Sequence, residues 1–194
     1  MPTKRNLLET VAAPLGFALK ARRAGAAHSV QTAPELQSTH HIAVTSTAFE
    51  NGGEIPDKYT GIGSNENLSP ALTWSDLPPH TAQIMLIIED TDVPGDRPAI
   101  HLAALVSPAV AHLSDGEIVE SNPHLRLIPD LRGRPEYIGP RPFPGHGRHH
   151  YGFYVFALDR AIAVDAKVGD VDELRLAVTG HVIGAGSMMG WKEG

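Results

Sequence analysis

Three observations predict a mainly β protein, an antiparallel β-sandwich with peripheral α-helices. Gly fills 19 and Pro 16 of the 194 positions, more turn punctuation than a helical bundle tolerates. The apolar runs are of strand length, and Ile84-Met85-Leu86-Ile87-Ile88 is continuous, the pattern of a strand buried on both faces. No regular helices separate the strands, which disfavours a parallel βαβ sheet.

The elements follow in order. Leu8, Val11, Ala12, Leu15 and Leu19 recur at helical spacing, and Asn6 with Glu9 has the spacing of a capping box. This predicts a short amphipathic helix, weakened at Pro14. Ile42–Ser46 reads as a first strand and Gly52-Gly53 as a turn. Gly61–Asn67 is a loop, and Leu72-Thr73-Trp74 is a strand stopped by Pro78-Pro79. The run Ile84–Ile88 ends in Glu89-Asp90-Thr91-Asp92. His101–Val106 is the next strand, and Ser114–Arg148 is mostly loop. Tyr151–Leu158 is an aromatic-rich core strand. Asp172 looks like an N-cap, with Leu174, Ala177, Val178, His181 and Val182 on one helix face. Ala185–Trp191 reads as a last strand.

Charge divides the chain. Residues 1–40 hold five basic and two acidic residues, net +3, whereas the whole chain is -6. The expected organisation is an extension over residues 1–40, carrying the amphipathic helix, before a domain over residues 41–194. The acidic balance disfavours a nucleic-acid partner. There is no cysteine, so no disulfide scaffold, thiolate nucleophile or Cys-ligated metal is expected. No apolar run approaches the ~20 residues of a spanning helix. Lys20, Arg22 and Arg23 stand where a secretory signal would have its neutral cleavage region, so a cytoplasmic protein is expected. The phosphate-loop, zinc-helix, nucleophile-elbow and dinucleotide signatures are missing, and no cofactor or metal is expected.

What remains is a set of polar residues at strand ends. Asp90 and Asp92 follow one apolar strand, His101 begins the next, and His149, His150 and Tyr151 begin the third. Before the third comes the stiff segment Gly139-Pro140-Arg141-Pro142-Phe143-Pro144-Gly145. If the three strands are neighbours, these groups gather at one rim. Asp90 would then favour the imidazolium of His149, and the donors would converge on a phosphate or carboxylate. The same residues also admit plainer roles. Asp90 and Asp92 can cap a turn, and His146, His149 and His150 can be a surface tract or an adventitious metal site.

Three blocks resemble the phosphatidylethanolamine-binding protein family, bacterial branch: Ser69-Pro70-Ala71-Leu72-Thr73-Trp74, Asp90-Thr91-Asp92-Val93-Pro94, and Gly139-Pro140 through His149-His150-Tyr151. Their order and separation are similar too, and the likeness spans about residues 42 to 191. It implies that family's antiparallel β-sandwich and a small pocket for phosphate-like anions. The ligand-binding residues it implies are Asp90, Asp92, His101, Gly139, Pro140, His149 and Tyr151. Four positions depart from the family pattern: Thr91, Ile100, Phe143 and His150, the last putting a titratable group where the family has arginine.

The expected function is a regulatory binding module for a phosphate-like or carboxylate anion, with a protein partner such as a kinase or protease. It is not expected to be an enzyme. The alternatives are a hydrolase or phosphotransfer enzyme using His149 and Asp90, and a homodimeric interaction module with a vestigial pocket.

Overall fold

The computed structural model describes residues 7–63, 65–130, 133–163 and 171–194. Among the described residues, two α-helices, α1 (Leu7–Leu19) and α2 (Val171–Val178), accompany nine strands. These are β1 (Ala43–Thr45), β2 (Gly53–Glu54), β3 (Leu72–Ser75), β4 (Gln83–Asp90), β5 (Ala99–Val106), β6 (His112–Leu113), β7 (Leu125–Leu127), β8 (Arg148–Leu158) and β9 (Val182–Glu193). They form a three-stranded sheet, β1-β3-β6, and a six-stranded sheet, β2-β9-β8-β4-β5-β7. The ladders are antiparallel except the short β2–β9 pair, which is parallel. The outer margin of β9 is further stitched by hydrogen bonds to His40, Ile42, Gly52 and Ile55.

The continuous apolar run of β4 is explained by two cores. Ile84, Leu86 and Ile88 face the three-stranded sheet and pack in one cluster with Leu72, Trp74 and Leu113. Met85 and Ile87 face the other way, into a cluster with Val30, Leu36, Leu174 and Val178. Strand alternation therefore puts an apolar residue at every position. Residues 29–36, within the expected extension, supply Val30, Ala33 and Leu36 to this second core.

Several elements differ from expectation. β4 extends through Asp90, so this carboxylate closes the strand instead of following it. The loop over residues 114–147 contains β7, and β8 begins at Arg148. Helix α2 stops at Val178, because Gly180 adopts a left-handed turn (φ 79°) that sends the chain through His181 into β9, which begins at Val182. Asp172 lies inside α2, where it pairs with Arg97. Asn6 of the expected capping box lies outside the described residues. Helix α1 runs unbroken through Pro14. Its contact face is also different: Leu15 and Phe17 are exposed, and the small residue Gly16 is buried. A Cβ on Gly16 would lie 2.0 Å from the Pro144 carbonyl oxygen, so the helix backbone rests directly on the loop before β8. That contact holds the second half of α1 in place beyond the proline.

Candidate functional site

β8, β4 and β5 are neighbours, so their polar ends meet. In the β4–β8 register Asp90 stands opposite Tyr151. His149 lies two residues before Tyr151 and therefore shares its face. The Asp90 Oδ2 and His149 Nδ1 atoms are 2.8 Å apart, and both side chains are almost wholly buried. The other Asp90 oxygen accepts the Asp92 amide at 2.8 Å, which turns the chain after β4.

His101 reaches this group through a bulge. Ile88 pairs with Leu102 and Glu89 with Ile100, which leaves His101 as the extra residue of β5. Its Nδ1–H donates to the Ile138 carbonyl at 2.6 Å, and its ring meets Tyr151 edge-on at 5.2 Å. Burial holds the His101 imidazole below its ordinary value, against the pull of the Asp90 carboxylate. With Nδ1 carrying the proton, Nε2 is an acceptor. Burial thus favours the neutral form of His101.

Tyr151 is fully buried, and its hydroxyl makes no hydrogen bond of good geometry, although the Asp90 carboxyl and the Arg141 backbone lie close to it. Burial first, and the neighbouring Asp90 second, push this phenol far above its usual range, so it remains a donor. Gly139 and Pro140 form a wall behind His101. The Gly139 amide donates to Asn67 Oδ1 at 2.8 Å, and Pro140 accepts the Gly61 amide at 3.1 Å. A Cβ at Gly139 would fall 2.4 Å from the Tyr59 carbonyl oxygen, so only glycine fits.

Asp92 belongs to a separate cluster. Its Oδ2 accepts from the His150 amide (2.7 Å) and ring Nδ1 (2.6 Å), and its Oδ1 meets Arg23 at 2.7 Å. Burial alone would raise the Asp92 carboxyl, but the hydrogen bonds from His150 and Arg23 hold it below its ordinary value. The structure therefore joins Asp90, His149, Tyr151 and His101, and sets Asp92 beside them facing His150.

Two partners escape sequence reasoning. His146 is fully buried, and its Nδ1 lies 2.8 Å from His149 Nε2. Its own Nε2 lies 2.9 Å from the Leu19 carbonyl and 3.0 Å from that of Arg22. A surface tract would leave these rings in water. Arg23 is the second, linking the N-terminal segment to Asp92 and to the Arg148 carbonyl (2.8 Å). No motif announces these contacts, and those of His146 to Leu19 and Arg22 and of Arg23 to Arg148 span more than a hundred residues of sequence. Among the described residues, no group of three His, Asp or Glu side chains is arranged to hold a metal. A cavity of about 570 Å³ lies on the other face of the sheet, lined in part by Glu89, Ile100, Ile128 and Arg141, with His101 in its wall.

Comparison with known sequences finds the pattern "Phosphatidylethanolamine-binding protein" over residues 45–192. The chain belongs to the phosphatidylethanolamine-binding protein family. A UPF0098 protein of Chlamydia trachomatis is 33% identical over 159 residues, covering 78% of this chain and 99% of that protein. A UPF0098 protein of Mycobacterium tuberculosis is 34% identical over 126 residues, covering 64% of this chain and 58% of the relative. A Chlamydia trachomatis structure described as a phosphatidylethanolamine-binding protein homologue superposes with a TM-score of 0.69 at 30% identity. It covers 80% of this chain and 99% of the other. Escherichia coli YbcL shares the fold, with a TM-score of 0.69 at 23% identity, over 78% of this chain and 98% of its own. As a member of this family the protein is a binding protein, and the mainly β architecture is the family's.

Proposed function

We propose that the end of the sheet formed by Asp90, His149, Tyr151 and His101, with Gly139 and Pro140 behind and Asp92 beside it, binds a small phosphate-like or carboxylate anion. The protein then acts by occupancy, as a binding module. The observation that carries this reading is the Tyr151 hydroxyl. It is a buried donor without a well-formed hydrogen bond, beside the His149 imidazole that lies 2.8 Å from Asp90. An unpaired buried donor costs about 1–3 kcal/mol, so such a group fits a site that receives a polar ligand. A phosphorylated side chain of a protein partner, such as a kinase or protease, presents the same chemistry as a free phosphate monoester.

Turnover is less well supported. A hydrolytic His–Asp pair needs the imidazole Nε2 free to take a proton, and His149 Nε2 is engaged by His146.

The test is calorimetric titration with inorganic phosphate and a phosphate monoester. Tyr151→Phe removes one hydroxyl and is expected to weaken binding roughly 10- to 100-fold, the worth of one hydrogen bond to a charged group. Unchanged affinity in Tyr151→Phe, or no saturable binding by any form of the chain, overturns the proposal.

A further inference from the structure

The hydrogen bonds around His149 form a line: Asp90, His149, His146, then the Leu19 and Arg22 carbonyls. Each of its three links needs one hydrogen. The far end consists of carbonyl oxygens, which only accept, so His146 Nε2 carries a proton. The near end is a carboxylate, so His149 Nδ1 carries one. The middle link needs a third, on either ring. Four ring nitrogens thus hold three protons, one net positive charge shared by two imidazoles against the Asp90 carboxylate. Without that third proton, the lone pairs of His149 Nε2 and His146 Nδ1 would face each other across 2.8 Å. The link would become a repulsion.

The far end of this line is the N-terminal segment. Leu19 ends helix α1 and Arg22 lies three residues beyond it; the Leu19 carbonyl accepts the Arg22 amide at 2.7 Å, and His146 adds a second donor there and reaches the Arg22 carbonyl. Gly16 rests on the Pro144 carbonyl and the His146 amide. The amides of Ala24 and Gly25 donate to the Val93 and Thr91 carbonyls at 2.9 and 2.8 Å. The segment is therefore laced to both loops that carry the candidate site.

We propose that residues 12–25 are a latch, held on the site by the proton shared between His146 and His149, and that an anion entering the site competes with the latch for His149 Nε2. The second half rests on the anion-binding reading, and the first stands on geometry alone. Release follows when the shared proton is lost, or when a ligand takes the Nε2–H and His146 lets go of the two carbonyls.

Other charges face this line and bear on its pH dependence. From β4 and its loop come Asp90 and Asp92, from β5 His101, and from β8 Arg148, His150 and Tyr151. The segment itself brings Lys20, Arg22 and Arg23, and β9 brings Glu193 and Lys192, which stands opposite His149 in the register and is paired with Glu54 and Asp57. Burial pushes the Tyr151 phenol up; against burial, hydrogen bonds from His150 and Arg23 hold the Asp92 carboxyl down, and hydrogen bonds to Asp57 and Glu54 hold Lys192 above its ordinary value. Burial holds the His101 imidazole below its ordinary value. His150 is paired with Asp92, and His150→Asn in the same experiment separates its effect.

The experiment is hydrogen exchange of the full chain, read on peptides covering residues 12–25 and corrected for intrinsic rates. Protection is expected to fall at least about tenfold between pH 6 and pH 8.5, and to fall again when inorganic phosphate is added at pH 6. His146→Ala removes the line, and Gly16→Val wedges the helix off the loop without touching a histidine. Both are expected to leave the segment unprotected at either pH and to raise inorganic-phosphate affinity about tenfold. Protection that ignores pH, phosphate and both substitutions overturns the latch, and leaves the anion reading standing if phosphate binds. A segment that responds to pH and to both substitutions in a chain that never binds phosphate upholds the latch and overturns the anion reading.

Discussion

Glu89 and Asp90 are consecutive residues of one strand, both buried, and strand alternation turns them to opposite faces of the sheet. Asp90 meets the His149 imidazole. Glu89 accepts from neutral donors, the Ser29 hydroxyl and the Val30 amide at 3.2 Å. Burial pushes the Glu89 carboxyl up, and the hydrogen bonds from Ser29 and Val30 only partly oppose it. One carboxyl is thus paired with an imidazole, and the other anchors a chain segment through neutral donors, with Arg175 acting on it without a direct ion pair. The lesson is that partner type, not depth, sets the role of a buried acid.

The largest test of this contrast is stability at neutral pH. Asp90→Asn breaks a buried pair and is expected to cost about 3 kcal/mol. Glu89→Gln changes one neutral hydrogen bond and is expected to cost about 1 kcal/mol. Urea denaturation reads both, and equal costs would dissolve the distinction.

A smaller effect lies in the pH profile. The folded Glu89 carboxyl sits above its ordinary value of 4.5. Its contribution is therefore complete below that value, and it is lost as pH rises through the folded value. His101 has the opposite sign. Its folded imidazole lies below the ordinary 6.5, so stability is lost as pH falls below 6.5. Glu89→Gln should remove the first slope, at most about 1.4 kcal/mol per pH unit, and leave the second intact. A profile unchanged by the substitution would place the titrating group elsewhere.

The smallest effect is expected away from both faces. Arg97 and Asp172 form a forked pair at 2.8 and 2.9 Å, but both side chains are about half exposed. Arg97→Ala should cost no more than about 1 kcal/mol, read by the same denaturation. A larger loss would mean that this surface pair matters as much as the buried ones.

Much of this arrangement is legible in the sequence because it depends on short-range pattern. The unbroken apolar run of β4 announces burial on both faces, and the spacing of His149 and Tyr151 puts them on one face. The gathering of Asp90 with that pair needed only that β4 and β8 be neighbours, which they are. The parts that were not legible depend on long-range contacts or on local irregularity. Nothing in the sequence marks His101 as a bulge residue, since a bulge is a property of two strands in register. Nor does the chain announce that His146 caps a helix well over a hundred positions away. The end of α2 was misplaced because His181 and Val182, at i+7 and i+8 from Leu174, continue the helical spacing past Gly180, where the backbone turns. β6 and β7, of two and three residues, are too short to leave a periodic signal.

The shortness of those outer strands has a consequence for how copies of this protein behave in crowded solution. The six-stranded sheet ends in Gly53–Glu54 on one side and Leu125–Leu127 on the other, and the exposed flank of β9 is already tied down by neighbouring chain. Neither border offers a long row of unspent amides and carbonyls. A second molecule finds no template on which to extend the ladder, so runaway cross-β assembly is discouraged by the outline of the sheet itself.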